Sequence, residues 1–123
     1  MDNRADMDNR YLFLTERDFV RVMALQPEPP LRAELERAIV VPAQALPPGV
    51  VSMYSRVRYR DEHAGVSRQI QIVLPKDADV AHGKVSVLAP VGAALLGLET
   101  GQVIDWRFPA GEVRRLRVEE VLH

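Results

Sequence analysis

The apolar positions of this chain change period once, and the change separates two kinds of structure. Phe19, Val22 and Met23 recur at i, i+3 and i+4, the spacing of one helical stripe. Thr15 precedes them as an N-cap, with Asp18 at the capping-box position and Leu14 and Phe19 placed as a hydrophobic staple. This first helix is expected to stop near Gln26, because Pro27 disfavours helical geometry in the residue before it. Pro29 and Pro30 suit the start of a second helix, where a missing N–H costs nothing. Leu31, Leu35, Ala38 and Ile39 then repeat at helical spacing until Pro42. Two helices joined by so short a turn are expected to pack antiparallel, with arms about 15–17 Å long at 1.5 Å per residue.

After the connector Pro42 to Val50, punctuated by Pro47, Pro48 and Gly49, the period becomes 2. Val51, Met53, Val57 and Tyr59 alternate with Ser52, Tyr54, Arg56, Arg58 and Arg60, which predicts a half-buried strand. Asp61 to Gly65 turns the chain, and Ile70, Ile72 and Leu74 mark a hairpin partner. Beyond the polar loop Pro75 to Lys84, the pattern predicts a short strand over Val85 to Leu88 and a short helix opened by Pro90. Gly97 is expected to end that helix in the left-handed conformation. A strand over Gln102 to Phe108 puts Ile104, Trp106 and Phe108 on one face, and a turn at Pro109 to Glu112 leads into the strand Val113 to Leu122. Val121 is out of phase with Leu116 and Val118, which predicts a bulge near Glu119 and Glu120.

The expected fold is α+β: a short N-terminal helical hairpin, then a mostly antiparallel sheet of four or five strands crossed by one short helix. Residues 1–10, where "MDNR" occurs twice, read as a flexible leader. Residues 11–46 carry the hairpin and residues 47–123 the sheet domain. Two helices of this length cannot stand alone in water, so the hairpin needs the sheet or a partner.

The chain has 123 residues, 47% of them hydrophobic and 6% aromatic, so Val, Leu, Ile and Ala must build the core. No apolar run approaches the roughly 20 residues that cross a bilayer, and no basic, apolar leader opens the chain. A cytoplasmic protein is expected, consistent with zero cysteines. Residues 1–49 carry a net charge of −2 and residues 50–123 of +1, which argues against binding a duplex by charge alone.

Catalytic chemistry is hard to find. His63, His82 and His123 lack metal-ligand spacing, and "GAALLG" lacks the Lys and Ser/Thr of a phosphate loop. No nucleophile-elbow motif surrounds Ser52, Ser55, Ser67 or Ser86. Glu119 and Glu120 are adjacent in a strand and are expected to point apart. Asp61 and Glu62, like Asp77 and Asp79, sit in turns and read as solvated. At the hairpin tip, Gln26, Pro27, Glu28 and Pro29 offer a single carboxylate, too few to hold Mg²⁺ alone. No catalytic residue, metal or cofactor is expected. Arg56, Arg58 and Arg60 share the outward face of one strand, with Arg68 as a candidate neighbour. That basic face is read first as a charged, solvated surface.

The segment Val85 to Val121 carries Pro90, Ala94, Leu95, Leu96, Gly97, Glu99, Gly101, Pro109, Gly111 and Glu112. In this order and phase it resembles the C-terminal domain of the bacterial GreA/GreB transcript-cleavage factors. With "LRAELERA" and "LPPGVVSMYSRVRYRD", the resemblance extends over Leu12 to Leu122 to the regulators of nucleoside diphosphate kinase, the short-armed relatives of those factors. It implies an FKBP-like C-terminal domain, an abbreviated N-terminal coiled coil, and RNA polymerase as partner. Gre factors reach down the polymerase secondary channel with a far longer coiled coil, whose tip acids of the form D-x-x-E help to hold a catalytic Mg²⁺. Here the tip has Glu28 alone on short arms, so the resemblance implies binding without cleavage. The docking loop it implies, at the channel rim, is Leu88, Ala89, Pro90 and Val91.

The leading expectation is a non-enzymatic transcription regulator that competes with Gre-type factors, meets nucleic acid only through polymerase, and has no membrane partner. Direct contact with nucleoside diphosphate kinase has no support in the residues. Two other readings are a peptidyl-prolyl isomerase, suggested by the implied fold, and a nucleic-acid module using the arginine face. Against the isomerase, Tyr59, Trp106 and Phe108 are phased as core. Against the nucleic-acid module, Tyr54 alone is expected to share the face with the arginines.

Overall fold

The computed structural model describes residues 12–122. The expected leader, Tyr11 and His123 lie outside the described residues. In chain order the elements are β1 (Phe13–Thr15), α1 (Glu16–Met23), α2 (Pro29–Glu36), β2 (Ile39–Val41), β3 (Arg56–Asp61), β4 (Val66–Val73), β5 (Lys84–Ser86), α3 (Pro90–Leu95), β6 (Val103–Arg107) and β7 (Val113–Leu122). The fold is α+β. Strands β5-β4-β3-β7-β6 form one sheet in that order, antiparallel except for the β4–β5 pair.

The hairpin is shorter than its periodicity predicts. Each helix has eight residues, about 12 Å at 1.5 Å per residue. The second ends at Glu36 because Ile39, Val40 and Val41, all β-branched, go to an extended strand instead. That strand pairs in parallel with β1, Phe13 opposite Ile39, and the Ile39 N–H donates to the Leu12 carbonyl at 2.7 Å. The ends of the hairpin are thereby clasped, and the helices run out and back between them.

Thr15 caps α1 as expected, its hydroxyl oxygen accepting from the Asp18 N–H at 3.0 Å. Asp18 does not close the capping box. Its carboxylate is buried and accepts from the Met53 N–H at 3.1 Å and from Arg21 at 2.8 Å. It therefore ties the hairpin to the sheet domain. A second tie is the Phe13 N–H, which donates to the Gly97 carbonyl at 3.1 Å.

The hairpin's exposure problem is solved by one shared core. Leu12, Leu14, Val22, Leu31 and Leu35 pack with Val57, Tyr59, Ile72, Leu95, Leu98, Leu116 and Val118 of the sheet side. Burying a Leu or Val side chain is worth roughly 1.5–3 kcal/mol, which replaces the stability that isolated helices lack. Val51 to Ser55, expected as the start of a strand, is instead a turn, with Tyr54 at φ 69°. Val51 and Met53 still reach the core.

Two glycines are sterically required near α3. Gly97 lies at φ +86°, as expected, and any Cβ there would meet the Leu12 side chain at 3.3 Å. Gly92 has ordinary backbone angles, but a Cβ would stand 2.5 Å from the Ser86 carbonyl oxygen. The run Gly92, Ala93 and Ala94 lets α3 lie directly on the backbone that leaves β5. Among the described residues no helix is long and apolar enough to cross a membrane.

Candidate functional site

A cleft of about 530 Å³ opens where the hairpin tip faces the loop Leu88–Pro90 and the β6–β7 turn. Gln26, Pro27, Glu28, Pro30 and Leu31 form one wall, Leu88, Pro90 and Ala93 a second, and Trp106 to Pro109 with Gly111 a third. Its lining is mostly apolar.

Each wall is held by backbone chemistry. At the tip, Gln26 takes φ 55°, and its N–H and that of Leu25 return to the Met23 and Val22 carbonyls, ending α1. Pro27 is buried at the bend, and Pro29 opens α2. Glu28 is the N-cap of α2 but makes no capping bond with its side chain, and it is exposed. In the second wall, Ser86 seats the loop. Its hydroxyl oxygen accepts from the Leu88 N–H at 3.0 Å, and its carbonyl accepts from the Ala89 N–H at 2.9 Å. The loop is so pinned that Leu88 stands 42% exposed, an apolar side chain held in the open. Ala89 is the N-cap of α3 and Pro90 its first residue; Ala89 and Val91 do not line the cleft.

The third wall was not legible as a site. Trp106 and Phe108, phased as core, are half-buried and border the cleft, because the short hairpin covers only part of that sheet face. The Phe108 and Glu112 backbones close the turn with a 2.8 Å bond, and the Arg114 guanidinium sits 5.4 Å from the centre of the Phe108 ring. Arg114 is itself fixed by Asp61, whose Oδ2 accepts from it at 2.7 Å, and by Glu112.

Asp61 is therefore no solvated turn residue. It is buried, and burial alone would raise its pKa. Bonds from the Ala64 N–H, Arg114 and the His63 N–H outweigh that and hold the carboxyl below its ordinary value. With the folded pKa depressed, the stability from Asp61 is fully present above the unfolded value of about 4 and is lost as pH falls through the folded one. The variant Asp61→Asn is expected to unfold more readily at pH 7, and its thermal midpoint to fall less than the parent's between pH 5 and 3. An acid-limb profile of both proteins checks this.

The arginine face divides once the register is known. Arg56, Arg58 and Arg60 do share the outward face of β3. Arg68 pairs with Tyr59, so it lies on the other face and does not join them. The bulge expected near Glu119 and Glu120 lies there, between Arg58 and Tyr59. It overturns the expectation that the two glutamates point apart: both reach Arg58, at 3.3 and 2.8 Å. On β7, Arg117 pairs with Glu62 and Arg115 with Asp105. Tyr54 leaves this face altogether. Its ring lies 5.5 Å from the Arg21 guanidinium, and its hydroxyl donates to Asp77, a bond that raises the phenol's pKa and lowers the carboxyl's. Among the described residues no three His, Cys, Asp or Glu side chains gather as a metal site.

Comparison with known proteins then places the chain. Residues 46–123 match the family model described as "Transcription elongation factor, GreA/GreB, C-term". Over 91 residues, 74% of this chain and 67% of the relative, it is 42% identical to the regulator of nucleoside diphosphate kinase of Escherichia coli K12. It is 35% identical over 80 residues to transcription elongation factor GreA of Thermodesulfovibrio yellowstonii, where the match takes in 65% of this chain and 51% of that protein. Among solved structures, a GreA/GreB elongation factor from Nitrosomonas europaea superposes with a TM-score of 0.73 at 40% identity, covering 94% of this chain and 100% of that one. This chain belongs to the GreA/GreB family of transcription elongation factors.

Proposed function

We propose that this protein is a non-enzymatic transcription regulator that docks on RNA polymerase at the rim of the secondary channel through the apolar cleft, and competes there with Gre-type factors. The observation that carries the reading is the placement of Leu88 and Pro90. They occupy the docking-loop position of the Gre pattern and form one wall of a cleft whose opposite wall is the hairpin tip. Docking there buries an exposed Leu together with Trp106 and Phe108, the kind of compact apolar anchor that dominates protein interfaces. The hairpin braces the rim in this reading and does not act as a catalytic arm. Helices of about 12 Å do not carry Glu28 deep into a channel, and one carboxylate does not hold Mg²⁺. The reading requires no cofactor, and it requires no direct contact with nucleoside diphosphate kinase.

The variant Leu88→Glu tests it. Leu88 is exposed, so the fold is expected to hold within about 0.5 kcal/mol, while affinity for core polymerase falls at least about tenfold, the loss of a modest hot spot. Fluorescence anisotropy of the labelled full chain reads both proteins. Unchanged affinity would sink the docking assignment.

One observation favours a second reading. Trp106 and Phe108 border an open apolar cleft, so the objection to a peptidyl-prolyl isomerase, that the rings belong to the core, is weakened for these two and stands for the buried Tyr59. A protease-coupled isomerisation assay on a proline tetrapeptide separates the two: the docking reading expects the uncatalysed rate, and saturable turnover would replace it.

A further inference from the structure

On the outer face of the sheet, away from the cleft, the register draws a second set of groups together. Arg56 on β3 is opposite Gln71 on β4, and Gln71 is opposite Lys84 on β5. The three side chains leave the same face in one row, with the Arg56 and Lys84 Cα positions about 10 Å apart at two strand spacings. Together with Gln69, His82 and Gly83 they line a polar recess of about 270 Å³.

The charges in this recess differ from those beside it. Arg58, Arg115 and Arg117 are neutralised by carboxylates. The Arg56 side chain makes no ion pair or hydrogen bond with any described residue, and the Gln69 side-chain amide is also without a partner there. Lys84 has Asp77 as a neighbouring charge but forms no ion pair with it. Asp79, whose backbone pairs with that of Lys84, has its carboxylate engaged by His82, whose Nδ1 lies 2.7 Å from its Oδ2. The Gln71 amide nitrogen is spent on the Tyr54 carbonyl, which holds the middle of the row in place.

We propose that this recess binds the phosphate group of a small organic phosphate. A guanidinium presents a fork of N–H donors that matches phosphate oxygens, and an ammonium adds a point charge. Arg56 and Lys84 reach in from opposite sides, with the Gln69 amide as a further donor. The size and setting select a discrete ligand over a nucleic-acid strand. Arg58, neutralised by its two glutamates, stands between Arg56 and Arg60, so the positive surface is interrupted and forms no continuous track. This site is independent of the docking cleft and stands or falls without it.

The test is a titration of the ¹⁵N-labelled full chain with inorganic pyrophosphate, at constant ionic strength set with sodium chloride. The backbone amides of Gln71, Gly83 and Lys84 are expected to shift saturably, with a Kd of about 1 mM or tighter, while inorganic phosphate gives the same pattern more weakly. In the double variant Arg56→Gln with Lys84→Gln, the affinity is expected to fall at least about tenfold. Both positions are exposed, so the remaining amide spectrum reports an intact fold. Three results would overturn the proposal: no saturable shift, equal affinity in the double variant, or a single-stranded oligonucleotide that binds more tightly than pyrophosphate and shifts amides around Arg60 as well.

Discussion

Replacing Gly92 with Ala is expected to destabilise the protein by about 1–3 kcal/mol or more and to weaken polymerase binding with it. The added methyl would stand 2.5 Å from the Ser86 carbonyl oxygen and 3.2 Å from the Val87 Cα. Both are backbone atoms, so no flexible side chain can move aside. Either α3 lifts from β5 or the Ser86–Ala89 loop shifts. That carbonyl accepts the Ala89 N–H, and the same loop presents Leu88 and Pro90. Stability and docking are thus coupled at one carbonyl. A shift of several degrees in thermal midpoint, together with amide shifts concentrated at Leu88 to Pro90, is the expected signature. A variant as stable as the parent would show that α3 does not rest on that backbone as described.

Asp18→Ala carries the second large effect. The carboxylate sits in a buried setting with two partners, the Met53 N–H and Arg21. Its removal leaves a buried amide without an acceptor, worth about 1–3 kcal/mol, and strands a guanidinium whose Nε already has no partner. A total near 3 kcal/mol follows by analogy with broken buried pairs. Asp18→Asn keeps an oxygen for Met53 and is expected to recover about half of the loss. The chain's single tryptophan reports the consequence for the site. Trp106 borders the cleft across from the hairpin tip, so loosening the hairpin is expected to red-shift its emission below the unfolding transition in Asp18→Ala and not in Asp18→Asn. Identical emission in all three proteins would mean that Asp18 does not hold the hairpin on the sheet domain.

Local signals carried the sequence reading where local physics decides. The Thr15 cap, the Pro29 helix start and the left-handed Gly97 each depend on a few neighbouring residues, and each stands where the pattern put it. The phase of Val121 was enough to place the bulge. What failed was non-local. Ile39 fits a helical stripe as well as a strand, and only its pairing with Phe13, far back in the chain, selects the strand. Arg68, a candidate neighbour of the arginine row, lies on the other face, because the β3–β4 register depends on a turn whose length the alternation does not fix. The bulge was foreseen but not its result, that two glutamates meet one arginine. Trp106 and Phe108 were given the correct face of β6, yet period 2 does not say how far a neighbouring hairpin covers that face. The cleft exists because the hairpin stops short.

The resemblance to the GreA/GreB pattern was legible from turns and glycines over the last 40 or so residues, and the family match over residues 46–123 agrees with it. The cleft itself could not be read there, because its walls come from three separated segments. Leu88 was singled out for its place in the pattern; only the Ser86 bonds explain why it stands exposed.

The central claim is docking on polymerase in competition with Gre-type factors. The most direct measurement mixes core RNA polymerase, stalled with a backtracked transcript, with the labelled chain and increasing amounts of a full-length Gre factor. The account predicts that the chain binds, that the factor displaces it, that excess chain suppresses factor-stimulated cleavage, and that the chain alone shortens no transcript. Absence of binding at micromolar protein, or transcript cleavage stimulated by the chain itself, would contradict it.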